Sequence, residues 1–215
     1  MTAIRYAIAG VAALALAGTA QAQEFKPKEK GVIMLNVRVT DVSSDANDPI
    51  TTAAGAATGL NVDVKHDVMP TIGLTYFLTD HVAVEAIAGT TQHEIHAKGS
   101  GVDVAVHETW VLPPVVSLQY HFAPAAKVSP YVGAGVNYMI FYNGKDQNGF
   151  KVDLDDGFGW ALQGGVDVAV KGAWSANLDV KKVFFKTDAS VNNGALKSSV
   201  KLDPWVVSAG VGYKF

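Results

Sequence analysis

From residue 31 to the C-terminal Phe215 the chain alternates apolar residues with polar or small ones, in long runs separated by turn-forming clusters. A period of two places successive side chains on opposite faces of an extended chain, so each run predicts a β-strand with one oily face. Eight such strands are predicted, at residues 31–42, 62–78, 82–96, 104–122, 130–142, 157–170, 174–187 and 202–215. The last is the clearest: Trp205, Val207, Ala209, Val211, Tyr213 and Phe215 share one face. Between the strands, 43–61, 143–156 and 188–199 read as long polar loops, the middle one with room for a short helix. Residues 79–81, 123–129 and 171–173 read as short connections, and 98–101 as a tight reversal.

Aromatic residues decide which way the oily faces point. Tyr76, Tyr120, Phe122, Trp174, Tyr213 and Phe215 lie on oily faces beside short connections or the C-terminus, where an interfacial girdle stands in a membrane barrel. A soluble lipocalin-like barrel has the same strand count but hides its oily face inside. The alternation of long and short connections also suits a membrane barrel, with the long loops outside and the short turns periplasmic. The fold expected is therefore all-β, an eight-stranded antiparallel transmembrane barrel.

Composition adds exclusions. The chain is 49% hydrophobic, yet beyond the N-terminus it has no apolar run long enough for a membrane helix. It has no cysteine, which excludes disulfides and thiolate sites, and a net charge of −3 gives no reason to expect nucleic acid as a partner. Arg5, the apolar stretch from Ala7 to Ala17 and the small-x-small triplet Ala20-Gln21-Ala22 form a secretory signal peptide over residues 1–22. Residues 23–215 then form one domain, exported to a bacterial outer membrane.

With the oily faces outward, the inward face divides by height. Near the short turns, Arg38, Glu85, Asp167, Asp179 and Lys181 put charges of both signs into a narrow lumen, where pairing makes an ionic plug. Nearer the long loops the inward residues are apolar: Met69, Ile87, Ile95, Val115, Met139, Phe141, Val183, Phe185, Leu202 and Val206. These either pack as a dry core, which the tight eight-strand geometry favours, or line a pocket for a hydrophobic guest. Pro113, Pro114 and Pro204 interrupt strands, and proline cannot donate to a strand ladder, so they are candidate points where the wall opens sideways.

The histidines do not assemble into a site. His93 and His96 fall on opposite faces, and His93 with His107 gives two imidazoles where zinc needs more ligands. Ser117 and His121 have no evident acid to complete a triad. No metal, no cofactor and no enzymatic activity are expected.

Several stretches together resemble one family. Leu112-Pro113-Pro114 leading to Gln119-Tyr120, the run Pro130-Tyr131-Val132-Gly133-Ala134-Gly135-Val136-Asn137-Tyr138, Gly165-Val166-Asp167, and Leu202-Asp203-Pro204-Trp205 ending in Tyr213-Lys214-Phe215 are similar to the OmpW family of outer-membrane proteins, with its AlkL branch. The resemblance implies an eight-stranded barrel that passes small hydrophobic molecules, with release sideways into the bilayer. A non-transporting surface barrel, serving membrane integrity, adhesion or phage or colicin binding, is the alternative. The resemblance departs at Asp179 to Lys182, where relatives often carry aromatics. The spacing Ser208-x-Gly210-x-x-Tyr213-x-Phe215 also resembles the signal read by the barrel-assembly machinery. Membrane lipid and lipopolysaccharide are the other expected partners, for a monomer.

Overall fold

The computed structural model describes residues 25–215, so the signal-peptide segment lies outside the described residues. Eight staves run up and down around one axis. The first rises as β1 (Ile33–Ser43) and β2 (Pro49–Thr52); the second descends as β3 (Ala57–Val64) and β4 (Asp67–Phe77). The third is β5 (Val82–Gly89) with β6 (Thr91–Gly99), and the fourth β7 (Val102–Leu112) with β8 (Val115–His121). The fifth is one strand, β9 (Val128–Asp146), and the sixth is β10 (Val152–Leu154) with β11 (Gly157–Lys171). The seventh and eighth are β12 (Trp174–Phe184) with β13 (Lys186–Val191), then β14 (Leu196–Lys201) with β15 (Trp205–Lys214).

At the short-turn end, β1, β4, β5, β8, β9, β11, β12 and β15 are all paired antiparallel, and β15 returns to β1 from Met34↔Lys214 to Ser43↔Trp205. That closes the ring, and closure removes the unpaired edges a membrane-buried sheet could not satisfy. Around it, Val39, Ile72, Leu118, Val136 and Val211 each leave half or more of their surface outside. A belt of this extent exceeds what a soluble monomer shows water and fits a lipid-facing wall. Tyr76, Tyr120, Phe122, Trp174 and Phe215 edge it at the short-turn end, with Tyr213 packed edge-on against both Trp174 and Phe215. A second aromatic ring borders the belt's far side: Trp160 stacks on Phe184 at 4.0 Å, and Tyr138 meets Phe158 at 4.6 Å.

The tube does not stop there. β10, β13, β14, β2, β3, β6, β7 and the top of β9 continue it beyond the second aromatic ring. Asp146 Oδ1 bridges the remaining gap by accepting the Val152 amide at 3.0 Å. The expected loops at 43–61 and 188–199 are therefore largely strands, and 143–156 holds the end of β9 and all of β10, with no helix. The cause is exposure. Ala189, Val200 and Ile50 still point inward and are buried, while Lys186, Asp188, Lys197 and Lys201 point outward into water. Solvent-facing polarity imitates loop composition where pairing in fact continues. The remaining reversals are tight, as at Asn192-Asn193-Gly194, all with positive φ.

Candidate functional site

Inside the ring, the inward charges meet in a single layer. Arg38 Nη2 donates to Glu85 Oε1 at 2.7 Å, and Lys181 Nζ lies 3.2 Å from Glu85 Oε2. Gln119 donates to the same Oε2 at 2.9 Å. Lys181 also pairs with Asp179, whose other oxygen accepts the Tyr131 hydroxyl at 2.7 Å. Asn177 Nδ2 ties this group to Asp167 at 2.7 Å. All five residues of the predicted plug are 3% exposed or less. Buried charges are tolerated only when paired and hydrogen-bonded, and each of these is.

The glycine of the Gly165-Val166-Asp167 stretch has a reason here. A Cβ on Gly165 would stand 2.4 Å from the Tyr131 ring, so only glycine lets that ring lie flat enough to reach Asp179. Tyr131 shares its inward parity with Gly133, Gly135 and Asn137, and that parity was the signal available for it.

One member of the layer comes from outside the strands. Residues 25–31 cross the short-turn mouth, held by Lys26 N to Gly172 O (2.7 Å), Lys28 N to Pro124 O (3.1 Å) and Gly31 N to Phe77 O (2.8 Å). From this strap Lys28 reaches upward, 4% exposed, and donates to Asp167 (2.6 Å), Ser129 (2.9 Å) and His121 Nδ1 (3.1 Å). That leaves His121 Nε2 to donate to Gln119 at 3.1 Å. Lys28, Arg38 and Lys181 stand against Glu85, Asp167 and Asp179, and Lys214, also buried, lies near Lys28 and Asp167. No alternation marks Lys28, because it does not belong to a strand.

Directly above lies an apolar cavity of about 100 Å³. Met69, Ile87, Ile95, Val115, Met139, Phe141, Val183, Leu202 and Val206 line it. Phe185 is displaced from the wall: it packs in the same apolar cluster and meets Phe141 at 6.3 Å, filling the space beside Gly157 and Gly159. A second cluster, including Ile50, Val62, Val106 and Val200, extends the apolar interior into the upper tube, with Leu202 shared between the two. Pattern reading missed part of this upper half because it assigned 43–61, which holds Ile50, and 188–199, which holds Ala189, to loops.

The three prolines behave differently. At Pro113 the β5–β8 ladder ends at Ile87↔Val115, and the β6–β7 ladder begins only at Thr91↔Val111. Pro113 and Gly89 both face the cavity at this interruption. The Pro114 carbonyl instead accepts from Tyr138 N (3.1 Å) and Asn137 Nδ2 (3.0 Å), which fastens the other side of the strand. At Pro204 the seam is held. Val183 N donates to Pro204 O at 3.1 Å, Leu202 N to Phe185 O at 3.0 Å, and the Asp203 carboxylate takes the Phe185 amide at 2.9 Å. Asp203 adopts a left-handed φ of 31° to do so. An opening at Pro204 therefore does not match this geometry.

The histidines of the upper tube divide. His93 and His107 are both buried, but His93 pairs across with Thr109, and His107 lies opposite Ile95. His107 Nδ1 meets Asp146 at 3.0 Å. His96 sits between Glu94 and Asp103, at 3.1 and 2.6 Å; its burial alone would lower its pKa, but the two carboxylates together raise it.

A closed eight-stave barrel, belted by lipid-facing residues and two aromatic rings, can now be set beside known proteins. The OmpW family model matches residues 29–215. The chain belongs to the OmpW family. An uncharacterized outer-membrane protein of Sinorhizobium fredii is 41% identical over 161 residues, covering 73% of this chain and 70% of that one. A dibenzothiophene metabolism operon protein of Pseudomonas aeruginosa is 29% identical over 184 residues, 83% of this chain and 86% of the relative. The crystal structure of the outer membrane protein OprG from Pseudomonas aeruginosa superimposes with a TM-score of 0.83 at 27% identity, covering 89% of this chain and 99% of that one. This OmpW-family chain is a bacterial outer-membrane β-barrel, a class in which the short turns are periplasmic.

Proposed function

We propose that this OmpW-family barrel is a passive path for small hydrophobic molecules, which enter from the outer side and leave sideways into the bilayer. The observation that carries the reading is vertical: an apolar cavity open to the apolar upper tube stands directly on a layer of buried ion pairs. An apolar guest gains roughly 25 cal/mol for each Å² it removes from water, so the cavity attracts it. Below, the same guest would have to break buried ion pairs, so the route down is closed to it.

The exit that remains is the wall. Pro113 and Gly89 face the cavity where ladder pairing is interrupted, and Pro113 supplies no amide there. A relative from an operon for dibenzothiophene metabolism is consistent with a cargo of this polarity. Phe215, Tyr213, Gly210 and Ser208 form the end that the barrel-assembly machinery reads, and the monomer rests against lipid and lipopolysaccharide.

Uptake tests the reading. Proteoliposomes with the wild-type chain should accelerate uptake of n-octane from an outer aqueous phase, and Ile87→Asp, which puts a charge in the cavity wall, should remove most of the acceleration. Equal uptake by the two, with both barrels folded, would sink the path and favour a non-transporting surface barrel.

A further inference from the structure

The cavity is not uniformly apolar, and among the described residues one of its hydroxyls lacks a partner. Hydroxyls of Ser44, Thr71, Thr109, Thr187 and Ser198 also line it, and each is hydrogen-bonded: Ser44 to Leu202 O, Thr71 to Thr40, Thr109 to Trp110 O, Thr187 to Asp155 O and Ser198 to Pro49 O. Thr91 differs. It is 1% exposed, lines the cavity, and its Oγ1 has no hydrogen-bond partner among the described residues. A buried hydroxyl left unmatched costs about 1–3 kcal/mol, so the site calls for a polar group brought from outside the protein.

Two residues along the same inward face of β6 stands His93, 7% exposed and also in the cavity wall. Its Nδ1 lies 2.7 Å from the Lys65 carbonyl, which can only accept, so Nδ1 carries the hydrogen. The tautomer is fixed, and Nε2 is left as a lone-pair acceptor. Burial holds the ring's pKa below its ordinary value, against the weaker upward pull of the Lys65 carbonyl and Asp67, which keeps that lone pair available near neutral pH. Thr91 thus offers a donor, and His93 an acceptor, side by side at about 7 Å along the strand. A hydroxyl forming hydrogen bonds of about 2.8 Å spans most of that interval, and the length of the imidazole covers the rest.

The geometry points to a neutral, singly hydroxylated amphiphile, an aliphatic or aromatic alcohol, as the preferred occupant of the cavity. Its hydroxyl donates to His93 Nε2 and accepts from Thr91 Oγ1, and its hydrocarbon part lies against Met69, Ile87 and Met139. A pure hydrocarbon leaves both groups unmatched, and a carboxylate directs its charge at a lone pair. This inference rests on the proposed path and narrows what the path takes.

The test uses the wild-type chain with 15N-labelled histidine and 13C-labelled methyl groups in DMPC nanodiscs, titrated with 1-octanol, n-octane and octanoate. 1-Octanol should shift the His93 Nε2 resonance upfield. Its affinity relative to n-octane should fall about 10-fold in the Thr91→Val/His93→Phe double variant, the size expected for two neutral hydrogen bonds. Retained n-octane binding by that variant shows its cavity intact, and if the variant fails to fold, the wild-type Nε2 shift decides alone. An unmoved Nε2 resonance, an unchanged affinity ratio, or octanoate binding as tightly as 1-octanol would overturn the inference and leave the hydrophobic path standing. If no ligand perturbs the Ile87 or Met139 methyls, the path itself falls with it.

Discussion

At the scale of single residues, the interior is set by what has room and what has a partner. Gly165 is the sharpest case, because the Tyr131 ring occupies the space of its missing side chain. Gly165→Ala should displace that ring, break its bond to Asp179 and cost about 1–3 kcal/mol, measured by urea unfolding in lipid vesicles. His96 shows the opposite kind of control, outside the membrane, where two carboxylates outweigh burial. Its raised pKa means that the stability it adds is fully present below the unfolded-state value and is lost as pH rises through the folded one. Asp103→Asn should move its NMR titration midpoint down, and an unmoved midpoint would show that Asp103 does not act on the ring. Parity along a strand makes Arg38, Glu85, Asp167, Asp179 and Lys181 legible in the sequence as inward charges. The unmatched hydroxyl of Thr91 is not legible there, since satisfaction depends on neighbours that are distant in the chain.

At the scale of elements, the alternation located all eight staves but ended several of them too early. The residues between 43 and 61 and between 188 and 199 are polar because their outer faces meet water, and that signal is the same one that marks a loop. The N-terminal strap escaped pattern reading altogether, because its one inward side chain, Lys28, follows no period. Lys28→Ala should leave Asp167 buried without its cation and destabilise the barrel by about 3 kcal/mol. The Asp167→Asn background should remove most of that loss, and a cycle with no coupling between the two would detach the strap from the polar layer. The interruption at Pro113 makes a second prediction. Pro113→Ala supplies an amide to the seam, so pairing between the third and fourth staves should extend. Release of apolar solute into the bilayer should then slow several-fold, while binding in the cavity persists.

At the scale of the whole molecule, height orders the chemistry. A strap closes the short-turn mouth, a layer of paired charges lies on it, and an apolar cavity opens above into a tube that rises past the membrane. The family resemblance and the lipid-facing belt were readable from the sequence. The continuous upper tube was not, so neither was the full length of the apolar interior. The central claim, that this interior receives hydrophobic molecules, is tested most directly by intermolecular NOEs from n-octane to the labelled barrel in lipid nanodiscs. The account predicts NOEs to the inward methyls of Ile87, Met139 and Val183. NOEs confined to the outward methyls of Ile72 and Leu118, which touch lipid in any case, would contradict it.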